Sequence, residues 1–346
     1  MRSDYSKWAG LLMISAFGGL LIPGAAAALP LRSDAGDGFA VMTFVSNEEQ
    51  VRMVRAQIKS IREFGGPYKN SRIHVVLTDR DNLPGDALKG ANVELLDIEM
   101  DKALIDYPLA AKAFAAAQVE ALAADEVGTL VWLDPSVIVM DSLDALDLEG
   151  GNYDVAARPV YLLNTIGIPP GTEPNDFWAP IYRAAGLDYR TLAAYKTVVD
   201  EGDIQPYFNC EVIAYNPKLG ICREWARIIE PLLKDKAYQS ASCTTFQRRL
   251  FLHQAALSGV IASKVKPERI RPLPLACGYP FIIHERLSPA KKASTMKGMS
   301  VVIFDDAWAS DPAWMKKIPI PEPLNGWLSQ AYQEYRAGQG ALHERP

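Results

Sequence analysis

The chain has 346 residues, 49% hydrophobic and 22% charged, which is the composition of a globular protein long enough to bury a large core and excludes disordered and fibrous classes. A formal charge of -5 excludes a broad nucleic-acid-binding face, because neutralising phosphates needs clustered Lys and Arg. No internal repeat and no Ser/Gly-rich linker divides the chain, so one α/β domain with insertions is the simplest organisation.

Arg2 and Lys7 precede an apolar run from Trp8 to Ile22, Pro23-Gly24 breaks any helix, and Ala25 to Ala28 supply small residues for cleavage. This is the pattern of a signal peptide over residues 1–28. As a helix the run would rise only about 22 Å, short of a bilayer core of roughly 30 Å, which argues against a retained anchor. No later stretch is long and apolar enough to span a membrane, so the expectation is an exported mature chain without a membrane span.

Phe39 to Val45 is a continuous apolar run, as expected of a strand covered on both faces. A helix follows, opened by a capping box of Ser46 and Glu49, with Val51, Val54, Ile58 and Ile61 on one face and Gly65-Gly66 at its end. Strands are predicted at Ile73 to Thr78, ending at Asp79, and at Val93 to Ile98. An Ala-rich helix over Ala110 to Ala124 leads into a strand at Thr129 to Leu133 that ends at Asp134. Strands alternating with helices imply a largely parallel, layered sheet. Ligands gather beyond the carboxyl ends of such strands, which singles out Ser46, Asp79 and Asp134.

The second half is less regular. A strand at Asp154 to Val160 precedes a Pro-rich insertion with helices at Asp176 to Ala185 and Tyr189 to Thr197, and Trp178 there is a candidate sugar-stacking platform. Phe208 to Tyr215 reads as a strand, Leu219 to Lys234 and Thr244 to Ser258 as helices, and Phe281 to His284 and Val301 to Phe304 as short strands. Cys210, Cys222, Cys243 and Cys277 fit no zinc spacing, which leaves two readings open, up to two disulfides or buried thiols.

Three segments carry a resemblance to a known family. They are LVWLDPSVIVMDSLDAL (Leu130 to Leu146), FNCEVIAYNP (Phe208 to Pro217) and HQAAL (His253 to Leu257). In order and spacing, over roughly residues 39 to 305, the chain resembles the GT-A glycosyltransferases, in particular the glycogenin-like and nucleotide-diphospho-sugar transferase groups. The resemblance implies a Rossmann-like α/β fold, a mixed sheet with flanking helices, occupying residues 36–310 and followed by a C-terminal tail over 311–346. It implies transfer of a hexose from a nucleoside-diphosphate sugar to the hydroxyl of a glycan or other acceptor.

In that family an Asp-x-Asp pair holds a divalent cation, which stabilises the charge developing on the diphosphate leaving group. Here the motif reads Asp134-Pro135-Ser136, with one carboxylate instead of two. The family's Gly in Phe-Asn-x-Gly is Glu211, its Asp before Gln254 is His253, and Asp305 lies near the place of its late histidine. The resemblance then implies Asp134, Glu211 and His253 as catalytic residues. Ser136, Asn209 and Gln254 are the implied substrate contacts, joined by Ser46 and Asp79 from their places at strand ends and by Lys291 and Lys292 as candidate cations for the diphosphate, and Asp134 and Asp305 are the implied ligands of Mn²⁺ or Mg²⁺. A metal-free route stays open, with Arg286, Lys291 and Lys292, or Arg248 and Arg249, holding the diphosphate.

Two further readings compete. A degenerate GT-A domain that binds a glycan or envelope partner without turnover accommodates both the missing Asp and the export signal. It also meets the difficulty that nucleotide sugars are cytoplasmic in bacteria. A solute-binding protein would show two similar lobes, and no such duplication is present. A dinucleotide-binding enzyme would carry a Gly-rich turn after the first strand, where this chain has SNEEQ.

Overall fold

The computed structural model describes residues 38–163, 166–304 and 313–340. The predicted signal peptide and Asp305 lie outside the described residues. The first half runs β1 (Phe39–Val45), α1 (Glu48–Phe64), β2 (Arg72–Leu77), β3 (Val93–Asp97), α2 (Ala110–Ala123), β4 (Thr129–Leu133), β5 (Val137–Val139) and β6 (Val155–Ala157). The second half runs α3 (Trp178–Ala185), β7 (Tyr195–Lys196), β8 (Asp203–Ile204), β9 (Val212–Tyr215), α4 (Ile221–Lys234), α5 (Lys236–Ala241) and α6 (Phe246–Lys264). It closes with β10 (Ile270–Pro272), β11 (Cys277–Pro280), β12 (Val301–Ile303) and α7 (Leu324–Gly340).

The main sheet has seven strands in the order β10-β6-β9-β4-β1-β2-β3. β1 pairs in parallel with both β2 and β4, whereas β9 runs antiparallel between β4 and β6. The architecture the resemblance implies, a mixed sheet with flanking helices, is therefore the one observed. Strand order reverses between β1 and β4, and this switch point is where open α/β sheets bind ligands.

Alternation along the strands sorts two cores. Ala40, Met42 and Phe44 of β1, with Leu130 and Trp132 of β4, pack among α2, α4 and α6, while Phe39, Val41, Val45, Val131 and Leu133 face α1. Burial on both faces is the reason these strands read as unbroken apolar runs. A second sheet, β11-β12-β5, packs with Trp314 and α7 into a third core.

The helix α2 is apolar on almost every side, and its two charged residues, Lys112 and Glu120, are both buried. Such groups persist only with partners. Glu120 meets its need at the start of α4, where its carboxylate accepts from the backbone N–H groups of Cys222 and Arg223, each at 2.9 Å.

Several expectations are corrected. The N-cap of α1 is Asn47, whose side chain accepts from Gln50 N at 2.9 Å, and Gln50 reaches back to Ser46; the Ser46/Glu49 box is one residue out of register. Tyr189 to Thr197 is not a helix but a single 3-10 turn at Tyr189–Thr191 followed by β7, which pairs with β8. The strand placed at Phe281 to His284 is β11, just upstream, and Phe281–Arg286 forms 3-10 turns. Only Val212–Tyr215 of the longer run from Phe208 is strand. All four cysteines are free and buried. No described helix is long and apolar enough to cross a membrane.

Candidate active site

The parity that points Leu130 and Trp132 toward α2 continues into Asp134 at the end of β4. The chain turns there out of the main sheet and into β5, with Val137 N donating to Asp134 O at 3.0 Å across a turn that holds Pro135. Gln57, fully buried on α1, clamps this turn by donating from Nε2 to Asp134 O at 2.6 Å and to Val137 O at 3.2 Å.

The Asp134 carboxylate is not free. Lys112 Nζ lies 2.6 Å from its Oδ1, the Lys112 side chain being 1% exposed and that of Asp134 16%. Trp132 Nε1 donates to the same oxygen, and the Trp132 ring lies under the ammonium, 5.2 Å from Nζ to its centroid. Burial works to depress the Lys112 ammonium, but the pull of Asp134, Cys210 and Glu211 outweighs it and holds the group above its ordinary value.

The segment before β9 arrives at the same place, with Asp134 N donating to Glu211 O at 2.9 Å. Asn209 Oδ1 accepts from Glu211 N at 2.9 Å, an Asx turn, and Asn209 Nδ2 donates to Glu211 Oε2 at 2.9 Å. Between them, Cys210 turns inward, where Lys112 donates to its Sγ at 3.4 Å and where Sγ lies 3.3 Å from both His253 Nε2 and Gln254 Oε1. Ser258 on α6 fixes the approach, its Oγ accepting from Phe208 N at 2.9 Å.

His253 Nδ1 lies 2.7 Å from Leu250 O. A carbonyl can only accept, so Nδ1 carries the proton and Nε2 is the bare nitrogen facing the Cys210 thiol. Burial, reinforced by the Lys112 charge, lowers the His253 imidazole to about 3, so the ring is neutral near neutral pH. Burial also pushes the Cys210 thiol up to about 12, against the opposing pull of Lys112. The thiol is therefore a buried donor and not a nucleophile.

Thus Asp134, Asn209, Glu211, His253 and Gln254 converge around Lys112 and Cys210, two residues that sequence reasoning did not select. The available signal for Lys112 was its position as one of only two charges on an otherwise apolar helix. Ser46 and Asp79 stand exposed at the carboxyl ends of β1 and β2, where they serve local turns: Ser46 Oγ donates to Gln50 and Asp79 accepts from Asn82 Nδ2 at 2.7 Å. Ser136 sits in the turn beside Asp134, its carbonyl accepting from Phe304 N at 3.2 Å.

The basic groups considered for a diphosphate clamp are spoken for elsewhere. Lys291 Nζ bonds Glu201 and Val198 O, Lys292 bonds Glu285, Arg248 pairs with Asp176, and Arg249 lies over the Tyr107 ring. Arg286 is exposed. Trp178 is not a sugar platform. It is 1% exposed and donates to Ile166 O inside the core.

Among the described residues the donor set does not suit a divalent cation. Asp134 already faces an ammonium, both His253 nitrogens are engaged within the protein, and among the described residues no three His, Cys, Asp or Glu side chains converge as ligands.

No curated protein matches the chain. Among solved structures it is similar to the galactosyltransferase LgtC in complex with donor and acceptor sugar analogs, with 14% identity, TM-score 0.44, and coverage of 86% of this chain and 95% of that one. An active-site mutant of LgtC gives TM-score 0.48 at the same identity and coverage. Mouse xyloside xylosyltransferase 1 gives 11% identity and TM-score 0.41, covering 77% of this chain and 97% of that one. A model of the Rhodobacterales glycosyltransferase domain matches residues 60–264, more than half of the chain. The chain, with its mixed sheet and its polar cluster at the end of β4, belongs to the Rhodobacterales glycosyltransferase domain family.

Proposed function

We propose that this glycosyltransferase moves a hexose from a nucleoside-diphosphate sugar to a hydroxyl of a glycan or similar acceptor, at the cluster centred on Asp134. The observation that carries the reading is the convergence of Asp134, Asn209, Glu211 and Gln254 beyond β4, at the sheet's switch point. A carboxylate and two amides gathered in one largely buried place suit recognition of sugar hydroxyls, which both donate and accept. Asp134 accepts from a donor hydroxyl, Asn209 and Gln254 line the sugar pocket, and Glu211 is the carboxylate that takes the acceptor's proton. His253 holds Cys210 in place and does not exchange protons itself. Ser46, Asp79 and Ser136, on the rim, contact the nucleotide.

The test is thermal stabilisation of the chain by a panel of nucleoside-diphosphate sugars, repeated with Asp134→Asn, which keeps the shape and removes the charge. One donor class is expected to raise the melting temperature, and the variant to lose that shift. Absence of any shift across the panel sinks the donor reading. An undiminished shift in the variant would move the site away from Asp134.

The proposal extends to export, supported by the charged, apolar and small-residue pattern of residues 1–28. Residues 36–310 then form the transferase domain. Export would separate the chain from cytoplasmic nucleotide sugars, so compartment and donor are tested independently. Mass spectrometry of the chain recovered outside the cytoplasm should show an N-terminus near residue 29, and a full-length chain retained inside cells would refute export.

A further inference from the structure

Asp134 stands where the resembling family places the first carboxylate of a metal-binding pair, yet its environment is built for another counter-ion. Lys112, 1% exposed on α2, runs over the Trp132 ring and delivers its ammonium 2.6 Å from Oδ1. Burying a lysine this deeply is costly unless a carboxylate meets it, so the pair is a fixed structural unit and not a chance surface contact. The second carboxylate of such a motif is absent, Ser136 standing two residues on. Lys112 and the Trp132 N–H both hold Oδ1, so a divalent cation on Asp134 would have to take the second oxygen and bear the like charge of the nearby ammonium.

We infer that Lys112 is the resident cation of this site and that the chain binds its nucleotide donor without a divalent metal. The inference rests on the donor reading above and deepens it. Asp134 is left as a neutralised pair that presents a hydrogen-bond acceptor to a hydroxyl instead of a ligand to a metal. Because the ammonium offsets the carboxylate, the site presents no net negative charge from Asp134 to an incoming diphosphate. With Lys112 paired to Asp134, an aspartate at 136 would add an unpaired negative charge facing the diphosphate.

The test uses Mn²⁺ alone as its first probe, followed by the loss of the free-ion electron paramagnetic resonance signal. The intact chain is expected to leave the signal unchanged, whereas the double variant Lys112→Met/Ser136→Asp, with two carboxylates and no ammonium, is expected to bind the ion. Mn²⁺ uptake by the intact chain that disappears in Asp134→Asn would overturn the inference. So would failure of a folded double variant to bind, because Lys112 would then not be what keeps the metal out. Should the double variant not fold, a second measurement on the intact chain decides. Thermal stabilisation by the nucleotide donor is expected to be equal in chelator and in Mn²⁺, and a shift seen only with Mn²⁺ overturns the claim. If no nucleotide binds under any condition, the donor reading fails, while the Mn²⁺ measurement still judges Lys112.

Discussion

Replacing Asp134 by alanine is expected to destabilise the chain by about 3–5 kcal/mol at neutral pH, because it leaves the Lys112 ammonium in the core without its carboxylate. The pH dependence separates this cause from simple loss of packing. In the intact chain Lys112 is held above its ordinary 10.5, so its contribution is complete below pH 10.5 and is lost only as pH climbs through the raised value. In Asp134→Ala burial dominates and carries the lysine below 10.5. The unfolded chain then binds the proton more tightly than the folded one, and the variant gains stability as pH rises toward 10.5. The gap between the two proteins, measured by urea denaturation, should therefore narrow from neutral to alkaline pH. It should also close largely in Asp134→Ala/Lys112→Met, which removes both charges. A gap that stays constant with pH would show that the pair is not the source of the loss.

Acidification gives the second large effect. His253 is lowered from its ordinary 6.5 to about 3, so below pH 6.5 the unfolded state takes up a proton that the folded state refuses. Stability falls as pH drops through this window, by on the order of 4–5 kcal/mol at about 1.4 kcal/mol per unit. The loss is complete near pH 3, and the group adds no further slope below that. His253→Gln should cost stability near neutral pH, since the contacts to Leu250 O and Cys210 go, but should lack this part of the acid slope. The two curves are thus expected to converge between pH 6.5 and 3, as followed by urea midpoints. Parallel curves would mean that His253 protonates in the folded state without resistance.

Much of the sheet was legible because its physics is local. β1 and β4 are covered on both faces, which leaves the continuous apolar runs FAVMTFV and TLVWL, and the residue that ends β4 could be named from the sequence. The register of the α1 cap was not legible, since Ser46 with Glu49 and Asn47 with Gln50 offer the same spacing, and only the observed backbone chooses between them. β7 fell inside the expected helix Tyr189 to Thr197 because the strands of its hairpin with β8 have two residues each, and the hairpin loop is closed by Thr197 bonding Asp200 and Gly202, not by a periodic pattern. Trp178 and the Lys291-Lys292 pair looked available for ligands because sequence shows neither burial nor the carboxylates of Glu201 and Glu285.

The centre of the site shows the same limit. Asp134, Asn209, His253 and Gln254 were found from segment order, but the lysine that redefines Asp134 lies on a different element, 22 positions earlier. Its meeting with Asp134 depends on how α2 is rotated against the sheet, which no short motif encodes. Gln57, 77 positions from the turn it clamps, was hidden for the same reason.

The most direct test is a structure of the chain with its nucleoside diphosphate donor bound in the presence of chelator. The nucleotide is expected at the carboxyl ends of β1 and β4, with a donor hydroxyl on Asp134, the Lys112 contact intact and no metal between them. A nucleotide bound elsewhere, or one that displaces Lys112 and enters only with a divalent ion, would contradict this expectation.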